Sequence, residues 1–344
     1  MNGISKDYGA VSSVEELLEQ EEKGKTKREK NLDLLIQLSP FLMGVLALLE
    51  YFYVPNHHGF EASYVYAFFL LLLLLGNGIS FLLCLRGKRQ RKNYLYHAPF
   101  RAFVFFLFML YDSLTLKSNI LITPYFPSID KVLSSMVQDR AYLWECTMSS
   151  LFLLFCGYFS GLIVGLFTGI ACGYNKKINY WIEPFMKLLG SIPSTTWIPI
   201  VMVLATSLFR GSVFIIALGV WFSITLATIT GIRNMDKSYY EAARTLGAKE
   251  KDLILEIAIP SALPSIFQGM VQAMSSACMA LMVAEMIGVE SGLGWYITWQ
   301  KSWAEYGKMY GAIILICVIF VTVNFLLNSI KKRVLRWQEG MLKD

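Results

Sequence analysis

The sequence predicts an all-α fold: a polytopic helical membrane protein with about eight transmembrane segments. Three observations carry this. Of 344 residues, 55% are hydrophobic and 16% charged, with a mean hydropathy of +0.49, whereas soluble domains carry roughly a quarter charged residues. Apolar runs close to the ~20 residues needed to cross a bilayer recur along the whole chain. Lysine and arginine collect in every second connection between those runs, as the positive-inside rule requires of alternating cytoplasmic loops.

Residues 1–30 are a polar tail in which acids (Glu15, Glu16, Glu19, Glu21, Glu22) precede bases (Lys23, Lys25, Lys27, Arg28, Lys30). A short surface helix or a disordered tail is expected. The stretch lacks the apolar core and small-residue cleavage site of a secretory leader. Apolar segments follow at 33–54, 63–85, 98–117, 143–173, 184–208, 212–231, 262–289 and 308–330. Basic residues flank them at 23–30, at Arg86 to Lys92, at Lys176 and Lys177, between Arg233 and Lys251, and from Lys331 to Arg336. The intervening loops hold few or none, so both termini are expected on the cytoplasmic side of a bacterial plasma membrane. The net charge of +6 thus expresses membrane topology, and a nucleic-acid partner would need a basic folded domain that the sequence lacks.

Cys84, Cys146, Cys156, Cys172, Cys278 and Cys317 are scattered through apolar segments without CxxC or Cys/His spacing. They indicate packing residues and no metal site or disulfide framework. His57 and His58 are adjacent and could ligate a metal, but an exposed loop accounts for them.

The fourth segment carries Gly157, Gly161, Gly165, Gly169 and Gly173, a spacing of four throughout. Small residues in that register make a flat helix face on which another backbone can approach closely. In the fifth, Pro193 and Pro199 leave carbonyls unpaired, which is tolerated only where protein or a water-filled path satisfies them.

The connection 232–261 is charged and helix-forming, which is unusual between two membrane spans. Asp236 and Ser238 supply N-capping groups, Tyr239 to Leu246 favours helix, and Gly247 can take the left-handed angles that end it. Lys249 to Ile257 is expected to form a second helix with Leu253, Ile254 and Ile257 on one side, ended by Pro260 and Pro264 before the next span.

Glu241-Ala242-Ala243-Arg244-Thr245-Leu246-Gly247 with Ile257-Ala258-Ile259-Pro260 resembles the E-A-A-x3-G-x9-I-x-(I/L)-P loop of the permease subunits of type I ABC importers. The resemblance extends to Pro127-Ser128 through Val132-Leu133, to Thr147 through Ser150-Leu151, and to Gly190-Ser191-Ile192-Pro193-Ser194-Thr195-Thr196-Trp197-Ile198-Pro199. It closes on Ala284-Glu285-Met286-Ile287-Gly288 with Ser291-Gly292-Leu293-Gly294, a combination similar to the branch that imports nitrate, taurine, sulfonates, bicarbonate and pyrimidine precursors. It covers roughly 98–340; 31–97 then form an accessory pair of spans outside the usual six. Leu208-Phe209-Arg210-Gly211-Ser212 departs from the family's G-x-G-E-x-S-K-I turn, and Leu153-Leu154 stand where an arginine is common.

The resemblance implies a cytoplasmic coupling loop (Glu241, Ala242, Ala243, Arg244, Gly247, Ile257, Pro260) that docks on a separate ATPase. It implies two ATPase copies, a second permease copy as a homodimer, and an extracytoplasmic binding protein. No G-x-x-x-x-G-K-(S/T) loop occurs, so the chain is expected to bind no cofactor and to catalyse nothing, ATP and Mg being used by the partner. Polar side chains within spans tend to face the bundle interior, which nominates Ser191, Ser194, Thr195, Thr196, Gln268, Gln272, Ser275 and Ser276 as the translocation path. Ser223, Thr225 and Thr228 are further polar residues in the sixth span.

Two other readings stand beside this one. In an ion-coupled secondary transporter Glu285, the one acid deep in a late span, would be the proton site; local pairing with a helix terminus is the plainer role. A membrane enzyme or sensor would need a nucleophile, metal or phosphate motif that the sequence does not supply.

Overall fold

The computed structural model describes residues 26–57, 63–85, 87–118 and 120–336, and its described residues are organised as helices joined by short connections. The tail up to residue 25, with His58, lies outside them. The chain divides into two compact units, one ending at Gln138 and the other beginning at Asp139.

The first unit contains α1 (Lys27–Tyr53), α2 (Val65–Cys84), α3 (Lys88–Asp112) and α4 (Ile129–Gln138). The third apolar run therefore packs with the first two. Helix α1 starts at a capping box, Thr26 Oγ1 accepting from Glu29 N–H and Glu29 Oε2 from Thr26 N–H (2.7 Å), which satisfies two end groups reciprocally. A π turn, Ser113–Lys117, prolongs α3. The core joins Ala47, Tyr51, Tyr66, Leu70, Phe105 and Leu116. Polar groups cross it as well: Tyr94 Oη donates to Asn77 Oδ1 (3.2 Å), and so does Arg101 Nη1 (3.1 Å).

The second unit runs α5 (Arg140–Tyr174), α6 (Lys176–Ser191), α7 (Ile198–Leu204), α8 (Leu208–Arg233), α9 (Lys237–Thr245), α10 (Ile259–Gly288), α11 (Leu293–Ser302) and α12 (Tyr306–Val334). The glycine register of α5 meets α8. A methyl group added at Gly157, Gly161, Gly165, Gly169 or Gly173 would strike Ile216, Ala217 and Val220, Ile224, Thr228 or Ile232 at 2.5–2.9 Å. Both helices advance by four residues per contact, so they lie side by side with almost no side chain between them. Thr225 and Thr228 are buried on this seam, Thr225 Oγ1 reaching Gly165 O (3.3 Å) and Thr168 Oγ1 (2.8 Å).

Among the described residues, seven helices are long and apolar enough to span a membrane, or eight if one bent pair is counted as a span. That pair takes in the fifth apolar segment, expected at 184–208, which is broken at its prolines. Helix α6 ends at Ser191, Ile192 is extended, and after a 3-10 turn at 194–197 α7 departs at 89°. Pro193 disfavours the helical region for the residue before it, and Ile192 is accordingly extended at the break.

Pro260 and Pro264 do not end a helix before the seventh span, contrary to expectation. Glu250–Asp252, a π turn at Leu253–Ala258 and α10 form one 39-residue helix through both prolines. In the π turn Ile259 N–H bonds Ile254 O, one residue beyond the α register. Such a widened turn holds an extra residue and gives a proline ring room that a regular helix denies it.

Candidate functional site

Two places in the second unit carry the predicted residues: the 232–261 loop and a cavity. In the loop, Asp236 caps α9, its carboxylate accepting from Ser238 N–H at 2.9 Å. That hydrogen bond holds the Asp236 carboxyl below the usual carboxylate range. Ser238 is thus a recipient of the cap and not a capping group. The helix ends as Ala248 N–H bonds Ala243 O (3.1 Å), with Gly247 at φ +84°. This closes a Schellman-type end. Nothing lies within 4 Å of a methyl group added at Gly247, so glycine is needed there for its backbone angle alone.

Glu241 and Ala242 are exposed and Ala243 is half-buried. Arg244 is partly exposed, but its guanidinium is engaged within the chain, bonding Glu250 Oε1 (2.6 Å) and Tyr240 Oη (3.0 Å). Tyr240 in turn meets Tyr174 Oη (2.9 Å), and Tyr174 also bonds Glu250. The loop is thereby fastened to the end of α5. Tyr174, Tyr240 and Glu250 were missed from sequence, since no residue spacing links position 174 to 240. The signal for a further feature was present: Tyr239, Ala242 and Leu246 recur at helical spacing, and Leu246 is 88% exposed. They give α9 an apolar face open to solvent. Ile257 and Pro260 are half-buried on the other arm, where Leu253 and Ala258 are fully covered.

The cavity, about 850 Å³, is bounded by the end of α6, the middle of α8 and the first half of α10. Ser194, Gln268, Gln272 and Ser276 line it, joined by Ser223, Thr230 and the Phe222 ring. Ser191, Thr195, Thr196 and Ser275 do not. Ser191 Oγ donates to Lys187 O (2.7 Å) and Ser275 Oγ to Val271 O (3.5 Å), each closing on its own helix. No lysine, arginine or carboxylate is among the lining residues. Lys331 of α12 donates to Gln268 Oε1, which leaves the amide nitrogen of Gln268 as its free donor.

Glu285 lies outside the cavity, buried at the far end of α10. Its Oε2 accepts from Gly294 N–H and Ser150 Oγ accepts from Leu293 N–H, both at 2.8 Å. These are two of the unpaired donors at the start of α11. Gly292, at φ +107°, has no space for a side chain because the Glu285 carboxylate stands where its Cβ would be. The serine of T-x-x-S-L and the glutamate of A-E-M thus serve one helix end, the local pairing that the sequence allowed.

Among the described residues no cluster of His, Cys, Asp or Glu could hold a metal. The cysteines, all free, are mostly buried.

Together these features define a polytopic helical membrane protein in which a polar cavity and an exposed helical loop share one continuous helix. The chain belongs to the family of binding-protein-dependent transport system inner membrane components, whose model matches residues 161–339. It is 30% identical over 119 residues to a putative ABC transporter permease of Methanocaldococcus jannaschii, covering 35% of this chain and 45% of that one. It is 28% identical over 123 residues to the bicarbonate transport system permease CmpB of Synechococcus elongatus, covering 36% and 44%. The matched stretch thus spans under half the length of these curated relatives. The fold is also that of a chain in the crystal structure of an amino acid ABC transporter with histidines, with a TM-score of 0.50 at 19% identity, covering 59% of this chain and 97% of that one.

Proposed function

We propose that this chain is the membrane-spanning permease subunit of an ATP-driven importer. It works as a homodimer with two ATPase subunits, which use the ATP and Mg, and an extracytoplasmic binding protein that delivers the solute. Both termini and the 232–261 loop face the cytoplasm, as the distribution of basic residues requires. The observation that carries the reading is the exposed face of α9, Tyr239, Ala242 and Leu246, mounted on a loop continuous with the cavity wall. An amphipathic helix seated in a partner's groove is a recurrent recognition mode. Glu241, Ala242, Ala243 and Gly247 would shape the docked surface. Arg244 would keep the two arms of the loop together, and Ile257 and Pro260 would hold the second arm to the rod.

Gln268, Gln272, Ser276 and Ser194 would form the passage, lined by hydroxyl and amide groups, with the Lys331 ammonium held on Gln268. Such a lining suits a small polar solute that binds weakly and leaves, with selectivity set by the binding protein. The nitrate-, sulfonate-, taurine- and bicarbonate-like class follows from the motif resemblance and from the named bicarbonate relative.

The test is Gly247→Asp in the assembled transporter. It is expected to abolish uptake while the permease stays in the membrane; unchanged uptake and assembly would refute the coupling role. In the secondary-transporter alternative, Glu285→Gln should remove a pH-gradient-driven uptake that needs no ATP. The hydrogen bond from Gly294 to Glu285 favours a structural role for that carboxylate.

A further inference from the structure

The first unit holds a constellation of acids that transport chemistry does not use. Glu50 lies in the last turn of α1, Asp112 ends α3, and Asp130 stands in the first turn of α4. Asp112 is fully buried and Asp130 nearly so. The partners of Asp130 are evident: Oδ2 accepts from Ser63 N–H (2.6 Å) and Oδ1 from Tyr66 N–H (3.0 Å), so it caps α2. Lys117 is also committed, its Nζ donating to Tyr51 O, Val54 O and Asn56 Oδ1 at 2.8–2.9 Å. An ammonium has three hydrogens, and all three are used.

Glu50 and Asp112 remain. Glu50 Oε1 accepts from Ser113 Oγ (2.9 Å), but Oε2 finds no donor, and neither oxygen of Asp112 does. Ser113, whose hydroxyl holds Glu50, directly follows Asp112, so the two carboxyls stand at neighbouring positions where α1 meets α3. A second set of groups converges on them. The hydroxyls of Tyr51 and Tyr66 are buried without a hydrogen-bond partner, and the two rings meet edge to face at 5.4 Å. The remaining titratable neighbour, His57, is tied to the same turn through its backbone N–H to Leu116 O (3.0 Å).

Two ionised carboxylates side by side, with three of their four oxygens buried and lacking a donor, repel one another and forgo their hydration. One hydrogen between Glu50 Oε2 and Asp112 gives both a partner and removes one charge. With Lys117 as the cation and Asp130 ionised, its loss would raise the uncompensated negative charge from one to two. The geometry points to a proton-binding site at the Glu50–Asp112 pair, one hydrogen shared between two carboxyls and flanked by the Tyr51 and Tyr66 hydroxyls. The folded protein then holds one hydrogen that the unfolded chain does not, so taking it away destabilises the first unit. On the proposed topology this end of α1 and α3 faces outward, so the medium it samples is the external one. The inference stands whether or not the chain couples to an ATPase.

Infrared difference spectroscopy of the full-length protein in detergent, recorded against pH in water and heavy water, tests it. A buried carboxylic-acid band is expected at neutral pH and should vanish on alkalinisation. It should be missing from Glu50→Gln and from Asp112→Asn but persist in Glu285→Gln. Should the variants not fold, the wild-type thermal midpoint provides the second reading. It is expected to fall on alkalinisation and to stay put when choline replaces sodium at constant ionic strength. Absence of the band at neutral pH, its survival in both variants, or a midpoint raised by sodium would overturn the assignment, the last by making the site one for a metal cation.

Discussion

The two units bury their helices by opposite means. In the second, α5 and α8 approach through a file of glycines, and the walls they meet include backbone atoms such as Ala217 O. In the first, helices are joined by large aromatics and polar side chains: Tyr51 on Tyr66, and Arg101 and Tyr94 on Asn77. Within a bilayer apolar burial gives little net drive, so association must come from close van der Waals contact or from hydrogen bonds. A glycine seam gives a rigid interface that tolerates no added atom. A polar core gives one whose strength depends on protons and donors.

The sharpest way to break this contrast is Gly161→Val. Its Cβ would meet Ala217 O at 2.5 Å and Ala217 Cα at 2.9 Å, neither of which can move aside. A loss of at least about 3 kcal/mol is expected, read as failure to recover monodisperse protein. Gly44→Ala in α1 is the control. Its methyl group meets only the Leu74 side chain, so the thermal midpoint should move far less than in Gly161→Ala. Next in size is Asp130→Ala, which strips one buried and one part-buried N–H group at the start of α2 of their acceptor. We expect a loss of about 1 kcal/mol, with faster hydrogen exchange confined to that turn.

Of like size is Gly247→Ala, expected to cost about 1 kcal/mol for the left-handed backbone, with Gly247→Asn milder because asparagine tolerates those angles. Circular dichroism and proteolysis of the loop would rank the two. The smallest effect concerns Asp236. Its carboxyl is depressed by the Ser238 N–H, so its contribution is complete above the ordinary aspartate range and is lost as pH falls through the lowered value. Amide exchange in 237–247 should rise on acidification in the wild type, and this rise should be absent in Asp236→Asn, which caps without titrating.

Much of the second unit was legible because its signals are local. Five glycines in register announced a close helix contact, and Asp236 and Gly247 announced the ends of α9. The partner on the glycine face was not legible, since Ile216, Val220, Ile224, Thr228 and Ile232 could belong to any apolar run. The prolines were visible but their effects were not. Pro193 bends the chain by 89°, whereas Pro260 is absorbed in a π turn, and what separates the cases is whether the surrounding helix can take one extra residue. Of the eight residues nominated for the path, the cavity gathers Ser194, Gln268, Gln272 and Ser276. Hydroxyls such as those of Ser191 and Ser275 are satisfied by their own helix backbone, which polarity alone cannot reveal. Glu50 and Asp112 escaped notice because 61 positions separate them in the chain, although each is a lone acid at the end of an apolar run, the signal that in a membrane asks for a partner.

The π turn at Leu253–Ala258 sets an angular phase. An α-helix advances about 100° per residue, so the single surplus residue there fixes the direction in which the α9 arm points when Gln268 and Gln272 face the cavity. Deleting one solvent-facing residue of that turn, such as Leu255, would turn the two ends of the rod against each other like a mis-keyed crankshaft while leaving α9 and the cavity-lining residues unchanged in sequence.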